Sequence, residues 1–327
     1  MSALHPTRRQ FLGTVAVGAA LAGSGRLSRL AAELAPPSKV AIARDPALRG
    51  SGTSPDSSRV LQLLDRAMQA CCDRDNPAEA WKRIVARGQT VGLKVNCLGG
   101  RGLSTGTVLV DAICERLQQA GIREEDIIVW DRSETDLEEG GYRNRGKLRV
   151  IGNDRGGYED DLAVFGEVGS RLTRTLTRTC DVVINLPLLK DHGITGVTAA
   201  LKNFYGAVHN PNKYHPNGGN PYVADVNMLE PVRNKVRLHI CDVFALQYEG
   251  GPAYQPHWNS KENTLIVSRD PVALDYTGWQ MIERKRAEKG LPSLAAAKRA
   301  PEYIATAADA RHRLGTNDPH RMEILEL

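Results

Sequence analysis

Thr90-Val91-Gly92-Leu93-Lys94-Val95-Asn96 is a short apolar run that closes on polar side chains. Thr107–Ala120 follows as an amphipathic helix, with Val108, Ile113 and Leu117 near one face and Gly121 as its stop. Asp126–Trp130 is then a second, β-branched run. Working outward, the same alternation continues. Val60–Cys71 has helical spacing, Gly146–Gly152 and Asp181–Leu186 read as strands, and Pro187 ends the latter. Val236–Val243 and Thr264–Ser268 are further strands, and Pro271–Lys289 is a long helix with proline in its first turn. Strands separated by helices predict an α/β fold: a layered, mostly parallel sheet with helices on both faces. In such sheets ligands sit beyond the strand carboxyl ends, so a polar site is expected there.

Residues 58–327 are read as a single α/β domain, preceded by a Pro-, Gly- and Ser-rich linker over 36–57. Residues 132–170 read as an inserted flap and 207–235 as a long polar loop. The 327 residues are 41% hydrophobic and 25% charged, which excludes extensive disorder or a whole-chain coiled coil. A net charge of +5 is too mild to argue for nucleic acid, and 5% aromatics do not supply a base-stacking surface.

The first residues differ. Arg8-Arg9 stand directly before the uncharged run Phe11–Gly23, a basic region followed by a mild apolar one. Residues 1–35 are therefore expected to be a signal and spacer resembling the twin-arginine export signal, which would make the protein periplasmic or otherwise extracytoplasmic. Small residues at Ala20 and Ala22 offer a cleavage site, and no membrane span is expected after its removal.

Chemistry-bearing residues gather at strand ends. Lys94 and Asn96 close the first strand, and Asn185 and Lys190 flank the turn after the fourth. The densest segment is Leu188–His215, with Lys190, His192, Thr198, Lys202, Asn203, His209 and His215. A helix beginning near Gly196 would put Thr198 and Lys202 on one face and add the field of its N-terminus. That many cationic side chains favour an anionic small molecule, a carboxylate or a phosphate. Lys190, His192, Lys202 and His209 are the catalytic candidates, with histidine or a depressed lysine as acid or base. Lys94, Asn96, Asn185, Thr198 and Asn203 are the substrate-binding candidates. The rival is a metal held by His192, His209 and His215 with Asp242 or Glu249, although the spacing fits no compact ligand motif. An aspartate after a strand is often only a cap, as expected of Asp270 before Pro271, and Asp242 could serve backbone donors in a nearby turn. The six cysteines contain no C-x-x-C pair, so no ferredoxin-type iron–sulfur motif is present and the cofactor stays unassigned. Gly99-Gly100-Arg101-Gly102 lacks the spacing of a phosphate loop.

Asn185-Leu186-Pro187-Leu188-Leu189-Lys190-Asp191-His192, followed by Thr198-Ala199-Ala200-Leu201-Lys202-Asn203-Phe204-Tyr205-Gly206, resembles the signature of the family called domain of unknown function 362. Lys94-Val95-Asn96, Asp242 with Gly250-Gly251-Pro252, and Asp270-Pro271-Val272-Ala273-Leu274-Asp275 are similar to its weaker motifs. Many relatives look cytoplasmic and carry an appended ferredoxin-like module. No such module is read in these residues and an export signal is expected instead, so any electron transfer is expected to need another cofactor or an exported redox partner. The leading expectation is an exported enzyme acting on an anionic small molecule by redox or proton-transfer chemistry. The alternatives are a non-catalytic anion or metal-complex binding protein, and an assembly partner of another exported enzyme.

Overall fold

Among the described residues, 36–327 of the computed structural model, ten strands share one sheet. The segment read as an export signal lies outside the described residues. In chain order the strands are β1 (Ser38–Arg44), β2 (Val91–Lys94), β3 (Ile127–Asp131), β4 (Arg149–Gly152), the separate two-stranded ladder β5 (Ala163–Phe165) and β6 (Val168–Ser170), β7 (Val182–Asn185), β8 (Leu188–His192), β9 (Gly196–Thr198), β10 (Val236–Gln247), β11 (Asn259–Ser268) and β12 (Met322–Glu326). The spatial order is β12-β1-β11-β10-β7-β2-β3-β4, with β8 paired to β10 and β9 to β8. Only β11 opposes its neighbours on that main path, so the sheet is mostly parallel.

β2, β3 and β7 are buried at every residue, as expected of strands covered on both faces. Alternate side chains enter different layers. Val91, Leu93, Ile127 and Val129 pack with α1 (Ser57–Cys72), α2 (Pro77–Lys82) and α3 (Thr107–Gln119). After α4 (Glu134–Glu139) and α5 (Asn153–Gly156), the chain builds the opposite layer. There Ile128, Trp130 and Val183 meet α6 (Tyr222–Met228) and α7 (Glu230–Lys235), while Cys241 and Ile266 meet α8 (Pro271–Glu288). α9 (Tyr303–Ala308) completes that layer. The parallel α/β sheet with helices on both faces is thus present. Asp270 caps α8, accepting from the Val272 and Ala273 amides at 2.8 and 2.9 Å.

Three local expectations are corrected. Ser38–Arg44, expected within a linker, is β1, tied between β11 and β12. Residues 207–235 are not one loop, since they hold α6 and α7. No helix begins near Gly196. Gly196, at φ +75°, turns the chain back so that β9 pairs antiparallel with β8, and Lys202–Ala207 is a short 3-10 segment. Val197 and Thr198 are β-branched and suit the ladder better than a helix.

Candidate active site at the strand carboxyl ends

The parallel register puts Lys94 of β2 level with Asn185 of β7 and Trp130 of β3. Residues in one row project to the same face. Lys94 is fully buried, and its ammonium donates to Asp131 Oδ1 at 2.6 Å and to the Val95 carbonyl at 2.7 Å. The other Asp131 oxygen accepts the Cys97 amide at 2.7 Å. A chain of amides continues from there. Asn96 Nδ2 donates to Asn203 Oδ1 at 3.0 Å, and Asn203 Nδ2 donates to Asn185 Oδ1 at 2.7 Å. Asn185 Nδ2 in turn donates to the Ala200 carbonyl at 2.9 Å. These bonds tie the ends of β2 and β7 to the segment carrying Lys202.

Above this floor lies a cavity of about 280 Å³, lined among others by Lys94, Asn96, Asp131, Lys190, His192, Thr198, Lys202, Asn203 and His215. The β8–β9 hairpin delivers two of these together, because Lys190 and Thr198 are cross-strand partners. Lys190 Nζ donates to Asn96 Oδ1 at 3.2 Å, and Lys202 Nζ lies 3.3 Å from His215 Nε2 and 4.6 Å from the centre of the Tyr205 ring. Thr198 Oγ1 is buried with no hydrogen-bond partner. An orphaned buried hydroxyl costs free energy on the order of 1–3 kcal/mol, so it marks a place where something else can bond.

Burial sets the protonation states. It draws the Lys190 ammonium down to about 8 despite the pull of Asp131, and Lys94 adds repulsion. It draws Lys202 down to about 7, with Lys190 repelling as well. His192 falls to about 2, from burial and then from Lys202, His215 and Lys190. Its ring is therefore neutral. Nδ1 accepts the Ile194 and Thr195 amides at 3.2 and 3.3 Å, which places the proton on Nε2. The His192 and His215 rings stack with centres 5.4 Å apart. His215 Nδ1 faces the Asn212 carbonyl at 3.3 Å and so carries the hydrogen of a neutral ring, leaving Nε2 to accept from Lys202. Burial lowers His215 too, assisted by Lys202.

The opposite flank of β8 is built differently. Asp191 is fully buried and accepts from Arg299 at 2.6 Å and from the Gly251 amide at 3.0 Å. Arg299 also holds Glu249 at 2.8 Å, and Arg286 pairs with the same carboxylate. Asp275 of α8, pushed up to about 8 by burial, accepts the Ala200 amide at 2.6 Å and the Leu201 amide at 3.2 Å. That anchors the backbone immediately before Lys202.

Most of the expected site residues therefore converge. Lys94, Asn96, Lys190, His192, Thr198, Lys202 and Asn203 line the cavity, and Asn185 lies beneath it. His215 joins them as the partner of Lys202. His209 does not: its ring is exposed, edge-on to Tyr158 at 5.1 Å. Asp242 is buried, burial lifting it to about 6, and spends its oxygens on the Phe244 and Gly106 amides. Glu249 belongs to the arginine network. The expected metal ligands are thus scattered, and no group of three His, Cys, Asp or Glu side chains suited to a metal occurs among the described residues. All six cysteines are free thiols. Asp131 was missed by sequence reasoning, although it ends β3 as directly as Lys94 and Asn185 end their strands. Tyr205 and Arg299 gave no local signal.

The family model described as domain of unknown function matches residues 91–280, more than half of the chain. No curated protein matches in sequence. Among solved structures, the crystal structure of a protein from Thermotoga maritima aligns with 9% identity and a TM-score of 0.42. The alignment covers 73% of this chain and 60% of that one. All of the cavity-lining lysines and asparagines fall inside the matched residues.

Proposed function

This chain belongs to the domain of unknown function 362 family, and within it we propose an exported enzyme that binds a small anionic molecule and moves a proton on it. One observation carries the reading. Lys190 and Lys202 are buried in the same cavity, and their bonds go to Asn96 and His215 rather than to a carboxylate. Buried charge without a partner is costly, and an incoming carboxylate or phosphate supplies the missing anion. Lys190, the orphaned Thr198 hydroxyl and the Nε2–H of His192 are the donors for it. Lys202, drawn down to about 7, is matched to accepting a proton near neutral pH, with His215 Nε2 next to it. A volume of about 280 Å³ sits at the small end of ligand cavities, which suits a metabolite-sized guest. Export rests on the Arg8-Arg9 pair and the apolar run behind it.

Thermal unfolding in the presence of acetate or inorganic phosphate tests the anion. Stabilisation is expected for the native protein and is abolished in K190M and K202M. Stabilisation that persists in both variants overturns the site. Incubation with a small carboxylate in D2O, followed by NMR, reads the proton transfer. Deuterium incorporated beside the carboxylate, and lost in K202M, is the expected result; binding without incorporation leaves the protein a non-catalytic anion binder.

A further inference from the structure

Resting on that anion site, we infer that the guest is a small amphiphile, with one anionic group on the cavity floor and an apolar body at its mouth. Floor and mouth are distinguished by exposure. Lys190, Thr198 and Lys202 are 1%, 4% and 7% exposed, whereas Leu98 is 47% exposed and still lines the same cavity. Pro211 and Pro252, half-buried, line it as well. Prolines have no N–H to offer, so these three side chains present only carbon. Part of the polar capacity near the mouth is spent within the protein. Arg132 donates twice to Asp136, at 2.9 and 3.3 Å, and the Asn212 carbonyl takes His215 Nδ1.

The buried hydrogen-bonding capacity that lacks a partner therefore lies at one end of the cavity, and the exposed apolar side chain at the other. A polyhydroxylated acid would set hydroxyls against the carbon of Leu98, Pro211 and Pro252, side chains that give them no hydrogen-bond partner. A carboxylate on a short hydrocarbon body meets both ends. The half-exposed Leu98 is otherwise a large side chain left facing water, and such a guest would cover it.

Titration of the whole protein near pH 6.5 with acetate, butyrate, hexanoate, gluconate and hexanol tests this. Affinity is expected to tighten by about fourfold for each methylene buried from acetate to hexanoate. Gluconate is expected to bind no tighter than acetate, and hexanol, lacking the charged head, not to bind. Leu98→Ser is expected to bring hexanoate down toward acetate. Gluconate or acetate binding as tightly as hexanoate overturns the amphiphile and leaves the anion site standing. If no carboxylate binds at all, the anion reading falls, and this inference with it.

Discussion

Lys190 and Asp191 are neighbours in one strand, equally buried, and sit in opposite electrical surroundings. On the Asp191 flank the charges cancel: the carboxylates of Asp191 and Glu249 meet the guanidiniums of Arg286 and Arg299. On the Lys190 flank, Asp131 is already engaged by Lys94, and two further lysines share the space. A closed set of charges holds the fold together, and an open set waits for a partner from outside. The largest test of that difference is R299M. It leaves Asp191 buried without its 2.6 Å partner, and a loss of about 3–5 kcal/mol of stability is expected in urea denaturation. Unchanged stability would show that the flank is not closed.

The Lys190 flank should respond in the other direction. The folded value of Lys202, about 7, lies below its ordinary 10.5. The penalty is therefore absent above the ordinary value, grows as pH falls, and is complete below about pH 7. K202M, with no ligand present, should stabilise the protein, and by roughly 3 kcal/mol more at pH 6 than at pH 9. Denaturation curves at the two pH values check the sign; a gain that rises with pH would refute it. The smallest effect is expected from H209A. His209 lies outside the cavity, so stability should stay within about 0.5 kcal/mol and anion stabilisation should not change.

The parts of this contrast that could be read from the sequence are local. β2, β3 and β7 are nearly uninterrupted apolar runs, and each ends in a polar residue, so both the sheet and its functional end were legible. The β8–β9 hairpin was not. Its short strands, bent at Gly196, look like a helix start when only spacing is considered. β1 was hidden by the prolines and glycines that follow it, because its place depends on pairing with β11 more than 200 residues away. The arginine network is equally remote from local pattern, since Arg299 and Asp191 meet across 108 positions. Nor does spacing distinguish a histidine in the cavity from one outside it. His209 and His215 are close in sequence, and only His215 points at Lys202.

The alternation along β8 carries one more consequence, for how the hairpin finds its pairing. β8 and β9 align through Lys190 with Thr198, Asp191 with Val197 and His192 with Gly196. A slip of one residue turns every side chain of a strand over. It would aim Lys190 at Arg286 and Arg299 and drop Asp191 into the cavity. The mispaired hairpin would thus set like charges together on one side and strand a carboxylate's former partners. Like charges on the Arg286 and Arg299 side, and not packing alone, therefore disfavour a slipped register of this short ladder.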